Sequence, residues 1–354
     1  GRDKLETATD LVPFMFKATL DKDAPANVIV VDVARRTVRE LGLNRSQSTA
    51  YDAIFAALAK DDDIEKVFLG DTNGDAFREH VSEMLPDHAG GAFEGISMGV
   101  RTLTRQLQDP QGPVFGESRL VTRANLSFWG SDKGTGASAA YNLQGYAMSL
   151  SAEYATNIGY FGGTLAYLWN RYTRGAASEI KSNSWELAGH WRHESGPVAA
   201  YARGSIGRAS YDSERKFVGV ADATTINRAI DGSWNGNFVT FAGGASWEGG
   251  GKYFYFRPGV SVDYIRLKED GYTETGGGKA LDLTVASRTS DELGVNGGMT
   301  VGIDFMGAKG RDDNWFRMET EGGWREVVSG GVGATTAHFD GGQDFRLALS
   351  LIHI

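Results

Sequence analysis

One stretch of the chain decides the fold class: residues Leu293 to Phe305 read LGVNGGMTVGIDF. The odd positions carry apolar side chains or glycine, and the even positions carry glycine, asparagine, threonine or aspartate. Successive side chains of a β-strand point to opposite faces of its sheet. The segment therefore predicts a strand with one apolar face and one polar face.

The same alternation returns in about nine segments after Ala124. It is clearest in residues 145–154, 164–170, 185–192, 239–248 and 254–264, and weaker near 124–132, 197–210 and 315–327. No stretch offers the roughly 20 consecutive apolar residues of a transmembrane helix. Repeated strands with two different faces predict an all-β, antiparallel, up-and-down transmembrane β-barrel.

A soluble β-sandwich also alternates and is the alternative fold. Two features favour the barrel. The polar face carries full charges within strands, and the apolar face carries Trp and Tyr near strand ends, as in the aromatic belts of membrane proteins. We therefore expect five side chains to face an aqueous lumen: Glu153, Glu186, Arg192, Asp263 and Asp304. We expect seven others to face lipid: Trp185, Trp191, Phe254, Phe256, Val301, Ile303 and Phe305.

The connections between the predicted strands alternate in length. Residues 157–159, 195–197 and 249–252 form tight turns, whereas 175–182, 212–230 and 268–291 are predicted to be long polar loops. Outer-membrane barrels have short periplasmic turns and long external loops. The pattern predicts that the tight turns face the periplasm.

Residues 46–108 change to a helical period. Tyr51 to Leu58 and Phe77 to Leu85 predict two short helices, and residues 89–107 predict a third. On the third helix, Glu94, Arg101 and Arg105 lie opposite an apolar face. We expect this helix to plug the barrel. Arg101 and Arg105 would then face the lumenal carboxylates Glu153, Glu186, Asp263 and Asp304. The alternative is a helix lying on the periplasmic side.

Motifs with possible chemistry point to no catalytic residue, metal or cofactor. Residues 95–99 match G-x-S-x-G, but that nucleophile motif needs a preceding strand, and here it lies within a helix. Helical glycines and serines packed in a narrow space explain it better. Residues 71–75 resemble a calcium loop, but Ala76 and Ser82 replace the required Gly and Glu. His190 and His193 point to opposite faces of a strand, so they cannot share a metal.

The composition limits the partners. The 354-residue chain has a net charge of −9, which argues against nucleic acid. It contains no cysteine, which suits a chain that crosses an oxidising periplasm.

In its order of segments, the chain resembles the autotransporter (type V secretion) β-domain with its helical linker and the end of its passenger. The resemblance rests on residues 28–39, LNRSQSTA at 43–50, the helices up to Leu107, FWG at 128–130, WR at 324–325 and AHFDGG at 337–342. It implies a non-enzymatic translocator that anchors an N-terminal passenger in the Gram-negative outer membrane and exports it to the cell surface. The implied partners are outer-membrane lipid, the barrel assembly machinery, periplasmic chaperones and the passenger itself.

The resemblance also implies domain boundaries. Residues 1–45 would be the C-terminal end of a β-helix passenger, 46–111 the helical linker with its plug helix at about 89–107, and 112–354 the barrel domain. The family has twelve strands, and about nine or ten are expected here, so the barrel is expected to be truncated. A general porin or uptake barrel is the alternative function, followed by a soluble secreted β-rich adhesin or enzyme.

Overall fold

The computed structural model describes residues 12–20, 30–86, 90–107, 119–134, 140–251, 253–305 and 317–347. Within these ranges lie four helices: α1 Arg45–Leu58, α2 Asp62–Gly70, α3 Gly74–Glu83 and α4 Gly91–Arg105. None of the helices in these ranges is long and apolar enough to cross a bilayer. The predicted strand-rich fold with a preceding helical segment is confirmed.

The strands form three sheets. β1 Phe16–Leu20 and β2 Val31–Arg35 make an antiparallel pair. A small sheet contains β11 Tyr272–Thr273, β12 Leu283–Val285, β15 Thr335–Phe339 and β16 Phe345–Leu347. The large sheet contains β3 Leu120–Lys133, β4 Tyr141–Thr156, β5 Gly159–Arg174, β6 Ser178–Ser195, β7 Val198–Ala221, β8 Thr224–Trp247, β9 Gly249–Gly250, β10 Phe254–Glu269, β13 Arg288–Asp304 and β14 Arg317–Gly331.

The large sheet is an up-and-down antiparallel meander. Its order is β14-β13-β10-β8-β7-β6-β5-β4-β3, with the short β9 paired to β10. Each long strand pairs with the strands that precede and follow it in this order. Among the described residues, β3 and β14 are its two edges. The sheet curls around α4, which contacts side chains from β3, β4, β5 and β10.

The side chains of the large sheet follow the alternation read from the sequence. In β6, buried and exposed residues alternate without interruption from Ile180 to His190. In β13, Thr300 is 9% exposed, whereas its neighbour Val301 is 37% exposed. We call the concave face, against which α4 packs, the lumen face and the opposite one the outer face.

Two of the predicted long loops are mostly strand, so those predictions were wrong. β7 and β8 continue through residues 212–230 and are joined by a turn at Asp222 and Ala223, both with positive φ. β5 and β6 are likewise joined by a short turn at 175–177. Paired strands can be polar on both faces where water covers both. A polar segment is therefore not necessarily a loop.

The helices α1 to α3 form a cap at one end of the large sheet. Their apolar side chains share a core with the tip of the β7–β8 hairpin and with the small sheet; its members include Ile54, Phe68, Phe77, Phe217, Ile230, Leu283 and Phe339. We call this end of the sheet the cap end and the opposite one the turn end. The turn end carries the tight connections at 157–158 and 196–197.

Local signals explain the helix boundaries in the cap. Asn44 and Gln47 form a reciprocal capping box at the start of α1. The sequence analysis missed α2, which begins at the N-cap Asp61 and carries Asp62, Asp63 and Glu65 in its first turn. Acidic residues there stabilise the positive end of the helix dipole. The acidic residues at 61–65 indicate the start of a helix.

Candidate functional site

The helix α4 lies within the curl of the large sheet. Its apolar face packs against lumen-face side chains from β4 to β10, so the helix is surrounded rather than laid on one surface. The buried cluster contains Phe93, Ile96 and Val100 of α4, with Tyr141, Tyr172, Ile180, Tyr211, Trp234, Phe238, Ile265 and Leu267 of the sheet. Further along, Leu103 packs on Ala147, Ala166 and Leu168. The helix runs from the cap end toward the turn end.

A row of glycines lets α4 approach β5 closely. An added Cβ would lie 1.8 Å from the Tyr172 ring at Gly91, 3.0 Å from the Asn170 amide at Gly95 and 2.5 Å from Leu168 at Gly99. The glycines recur every four residues along α4, a rise of about 6 Å. The facing residues of β5 recur every two residues, a rise of about 6.6 Å, so each glycine meets the next lumen-facing side chain of the strand. The G-x-S-x-G segment is part of this row, as the packing interpretation predicted.

Glu94 anchors the first turn of α4 to the sheet. Its carboxylate accepts a hydrogen bond from the Tyr141 hydroxyl at 2.5 Å and one from Ser131 at 3.4 Å. The Glu94 side chain is buried. A buried carboxylate needs such donors, because burial without them is costly.

Arg101 meets a carboxylate that the sequence analysis did not name. Its Nη1 lies 3.5 Å from Glu292 Oε1 on β13. Glu292 also pairs with Arg325 of β14, which in turn lies 2.8 Å from Asp263. Of the carboxylates named from the sequence, Asp263 belongs to the same charge network as Arg101, through Arg325 and Glu292. The even-numbered side chains of β13 face the lumen, and Glu292 is one of them. The alternation could therefore have identified Glu292 as a lumen-facing residue.

Arg105 lies in the last turn of α4 and is exposed. A basic residue at this position suits the negative end of the helix dipole. The structure does not bring it to the lumenal carboxylates Glu153 or Glu186, whose partners are other residues.

Glu153 is the centre of a buried charge cluster on the lumen face near the turn end. Its oxygens lie 2.5 Å from Arg123 of β3, 2.9 Å from His190 of β6 and 2.9 Å from Arg192 of β6. Arg192 also reaches Glu194 at 2.6 Å. The cluster links β3, β4 and β6, and its contacts from β4 to β6 cross the intervening β5.

Two further predicted lumenal residues also lie in ion pairs. Glu186 holds Arg203 of β7 through two contacts, at 2.9 Å and 3.0 Å. Asp263 accepts hydrogen bonds from Asn296 at 3.1 Å and from Arg325 at 2.8 Å. The side chain of Asp304 lies outside the described residues. The sequence analysis missed the basic partners of these carboxylates, Arg123, Arg203 and Arg325. Each occupies a lumen-facing position in the alternation of its own strand.

The predicted lipid-facing residues lie on the outer face. Trp185, Phe254, Val301, Ile303 and Phe305 are exposed, and Trp191 and Phe256 are half-buried. On β10, the outer face is uncharged from Phe254 to Tyr264 and becomes basic at Arg266. That span is about 34 Å along the strand, which a tilt of about 45° reduces to about 24 Å. This matches the height of the apolar band of an outer-membrane barrel.

Aromatic rings mark the cap-end border of the apolar band. Tyr146 of β4 lies 6.5 Å from Phe128 of β3 and 5.5 Å from Trp169 of β5, between ring centroids. Tyr167 of β5 lies 5.2 Å from Trp185 of β6. Immediately beyond this row, toward the cap end, the outer face becomes polar at Gln144, Arg171, Asn183, Arg208 and Asn237.

The motifs considered for chemistry have structural partners. Ser97 donates its hydroxyl hydrogen to the Glu94 carbonyl oxygen at 3.1 Å, within α4. Asn73 accepts a hydrogen bond from the Ala76 amide at 2.8 Å and caps α3. Within the described ranges, no group of three or more acidic or histidine side chains is arranged to hold a metal.

Two solved structures are similar to this chain. The translocator domain of autotransporter NalP from Neisseria meningitidis is 17% identical, with a TM-score of 0.48 over 71% of this chain and 91% of that one. The β-domain of the Bordetella autotransporter BrkA is 12% identical, with a TM-score of 0.28 over 65% of this chain and 100% of that one. A search of curated proteins found no match.

The family assignment rests on a different comparison. The model of the autotransporter β-domain family matches residues 126–348, which cover most of the large sheet and the small sheet. These residues include the alternating strands, the Trp324-Arg325 segment and residues 337–342 on which the resemblance was based. The chain belongs to the autotransporter β-domain family, the outer-membrane translocators that export an N-terminal passenger to the cell surface.

Proposed function

We propose that α4 is the plug of this translocator and that the exported chain passes through the lumen along its path. The observation that carries the proposal is the surrounded position of α4, with its glycine row fitted to β5 and its Glu94 held by Tyr141. A helix fitted in this way leaves little open lumen. Porin-like conduction is correspondingly disfavoured.

The chain direction supports an orientation. The cap lies at the end of the sheet where α4 begins, and β3 begins at the opposite end, where Leu120 pairs with Tyr154 near the 157–158 turn. The β7–β8 hairpin extends far beyond the apolar band at the cap end, as external hairpins of outer-membrane barrels do. With the turn end in the periplasm, the cap and everything upstream of it lie at the cell surface. Residues 46–111 then divide into a surface cap and a lumenal plug, followed by the barrel domain at 112–354.

Residues 1–45 remain assigned to the end of the passenger. The described part of this region, β1 and β2, pairs antiparallel, whereas coils of a parallel β-helix pair in parallel. The β-helix assignment is therefore supported only by the family resemblance. Periplasmic chaperones and the barrel assembly machinery are proposed as partners on the same ground, and catalytic activity is not proposed for this chain.

The lumen and lipid assignments are part of the proposal. Glu94, Arg101, Glu153, Glu186, Arg192 and Asp263 would line the lumen, and the exposed apolar residues of the outer face would contact lipid. Burial of the first set in ion pairs and exposure of the second set support this division.

The test is the conductance of the purified full chain in planar bilayers. Gly99→Trp places a large side chain where a Cβ alone would lie 2.5 Å from Leu168. We expect it to displace the plug and to raise the conductance to open-pore levels. Gly189→Trp is the control, because a Cβ at that exposed outer-face glycine meets nothing within 4 Å. Equal conductance of both variants and the wild type would overturn the plug.

A further inference from the structure

We propose that a group of cations on the outer face of β7 and β10 binds the phosphates of an anionic glycolipid in the outer leaflet. This inference rests on the proposed orientation, which places the cap end at the cell surface. The group consists of Arg208, Arg266 and Lys268, all exposed. We call it the basic rim.

The register brings these side chains together. Arg208 of β7 pairs with Asn237 of β8, and Asn237 pairs with Lys268 of β10. Arg266 lies on the same face of β10, two residues below Lys268. Neighbouring strands lie about 4.8 Å apart, so Arg208 and Lys268 are about 10 Å apart at the backbone, with an amide between them. Flexible basic side chains at this spacing can converge on one phosphate or bridge two.

The height of the basic rim matches a lipid headgroup. Trp185 of β6 is the direct cross-strand neighbour of Arg208, and Tyr264 precedes Arg266 on the outer face. Below Arg208 and Arg266, the outer faces of β7 and β10 are uncharged down to Val198 and Phe254. The cations therefore lie just above the apolar band, at the level of the aromatic border, where headgroup phosphates lie.

The local charge balance favours an anion at this place. The nearest outer-face carboxylate in register is Asp291 of β13, opposite Arg266. On the outer face of β5 and β6, Arg171 and Lys181 lie at a similar level along the strands, but both contact Glu179 at 2.5 Å. Those two cations are ion-paired with Glu179, whereas none of the three cations of the basic rim forms an ion pair with another described residue. The carboxylates beside the basic rim are Asp291 and Asp270, which lies two residues beyond Lys268.

The experiment measures binding of bis-phosphorylated lipid A to the full chain in phosphatidylcholine vesicles. Arg208→Gln with Lys268→Gln removes two cations from the basic rim. Each cation near a charged membrane surface contributes about a five-fold change in affinity, so we expect about a 25-fold weaker binding. Arg171→Gln with Lys181→Gln is the matched control, because it removes the same charge from two cations that are already ion-paired with Glu179. We expect its affinity to stay within about two-fold of the wild type.

Each outcome decides between two claims. Unchanged lipid A affinity in the basic-rim variant, or an equal loss in the control, would overturn the lipid site while leaving the translocator intact. Full displacement of lipid A by inorganic phosphate would show that the cations bind any free phosphate, and would overturn it as well. Failure of the wild-type chain to float with phosphatidylcholine vesicles would instead overturn the contact of the outer face with lipid, and the lipid site with it.

Discussion

Tyr141 of β4 donates its hydroxyl hydrogen to Glu94 of α4 across 2.5 Å, and both side chains are buried. The contact joins α4 to β4 of the large sheet. Replacing Tyr141 by Phe leaves the buried carboxylate, among the described residues, with the longer Ser131 contact at 3.4 Å. We expect a loss of about 1–3 kcal/mol in the free energy of unfolding. Thermal unfolding of the detergent-solubilised chain measures it, and a change below the error of that measurement would contradict the role of Glu94.

Charge on the outer face distinguishes lipid from water. Val301 lies within the apolar band, and Val220 lies on the same outer face of the β7–β8 hairpin beyond it. We expect Val301→Arg to cost about 1–2 kcal/mol. Val301 pairs with Phe256, between the bilayer midplane, where a cation costs about 2–4 kcal/mol, and the turn-end border of the band, where it costs about 0–1 kcal/mol. Val220→Arg, which stays in water, should have almost no effect. Folding into vesicles in urea titrations compares the two, and equal costs would argue for a soluble protein.

The cluster around Glu153 predicts a large effect from a small change. Glu153→Gln keeps the shape of the side chain but leaves Arg123 and Arg192 without their shared carboxylate. Breaking a buried ion pair in this way costs about 3–5 kcal/mol. Heat-modifiable migration on gels reports the loss of the folded barrel. Asp52→Asn, in the exposed pair with Arg35, is the control and should leave the transition unchanged.

His80 in the cap makes the cap sensitive to pH. Its Nδ1 lies 2.8 Å from Asp71 Oδ2, and its Nε2 lies 3.1 Å from the Val218 carbonyl oxygen of β7. Both partners accept hydrogen bonds, so the doubly protonated ring fits best. Burial against the rings of Phe68 and Phe217 lowers the pKa of His80, but the hydrogen bond to Asp71 and the charges of Asp71 and Glu83 outweigh it, and the pKa is raised.

The sign of the pH effect follows from this shift. Because the pKa of His80 is higher in the folded state, the protonated ring stabilises the fold fully at pH values below its ordinary pKa of about 6.5. This stabilisation is lost as the pH rises through the pKa of His80 in the folded state. Burial also raises the pKa of Glu83, so its ionisation weakens the cap in the same direction. We expect amide exchange in α3, corrected for intrinsic rates, to accelerate as the pH rises above about 6.5, and His80→Gln to flatten this dependence. Protection that increases with pH would contradict the assignment.

The sequence predicted what depends on local periodicity. The two faces of β6 and β13, the helix that becomes α4 and the packing role of Gly95 and Gly99 all follow from side-chain spacing along one segment. The ion-pair partners do not, since Glu292 meets Arg101 only through the curl of the sheet. The long β7–β8 hairpin was misread as a loop, because its polar residues lie outside the membrane, where strand and loop have similar compositions.

Cross-linking tests the central claim that α4 occupies the lumen of a membrane-spanning sheet. The chain contains no cysteine, and a Cβ at Gly95 would lie 3.3 Å from Asn170 Cβ. That separation is close to what a disulfide requires. The measurement is oxidative cross-linking of Gly95→Cys with Asn170→Cys in isolated outer membranes. We predict efficient intramolecular cross-linking for this pair and none for Gly95→Cys with Gly189→Cys, whose second position is on the outer face. No cross-link in the first pair, or equal cross-linking in both, would contradict the account.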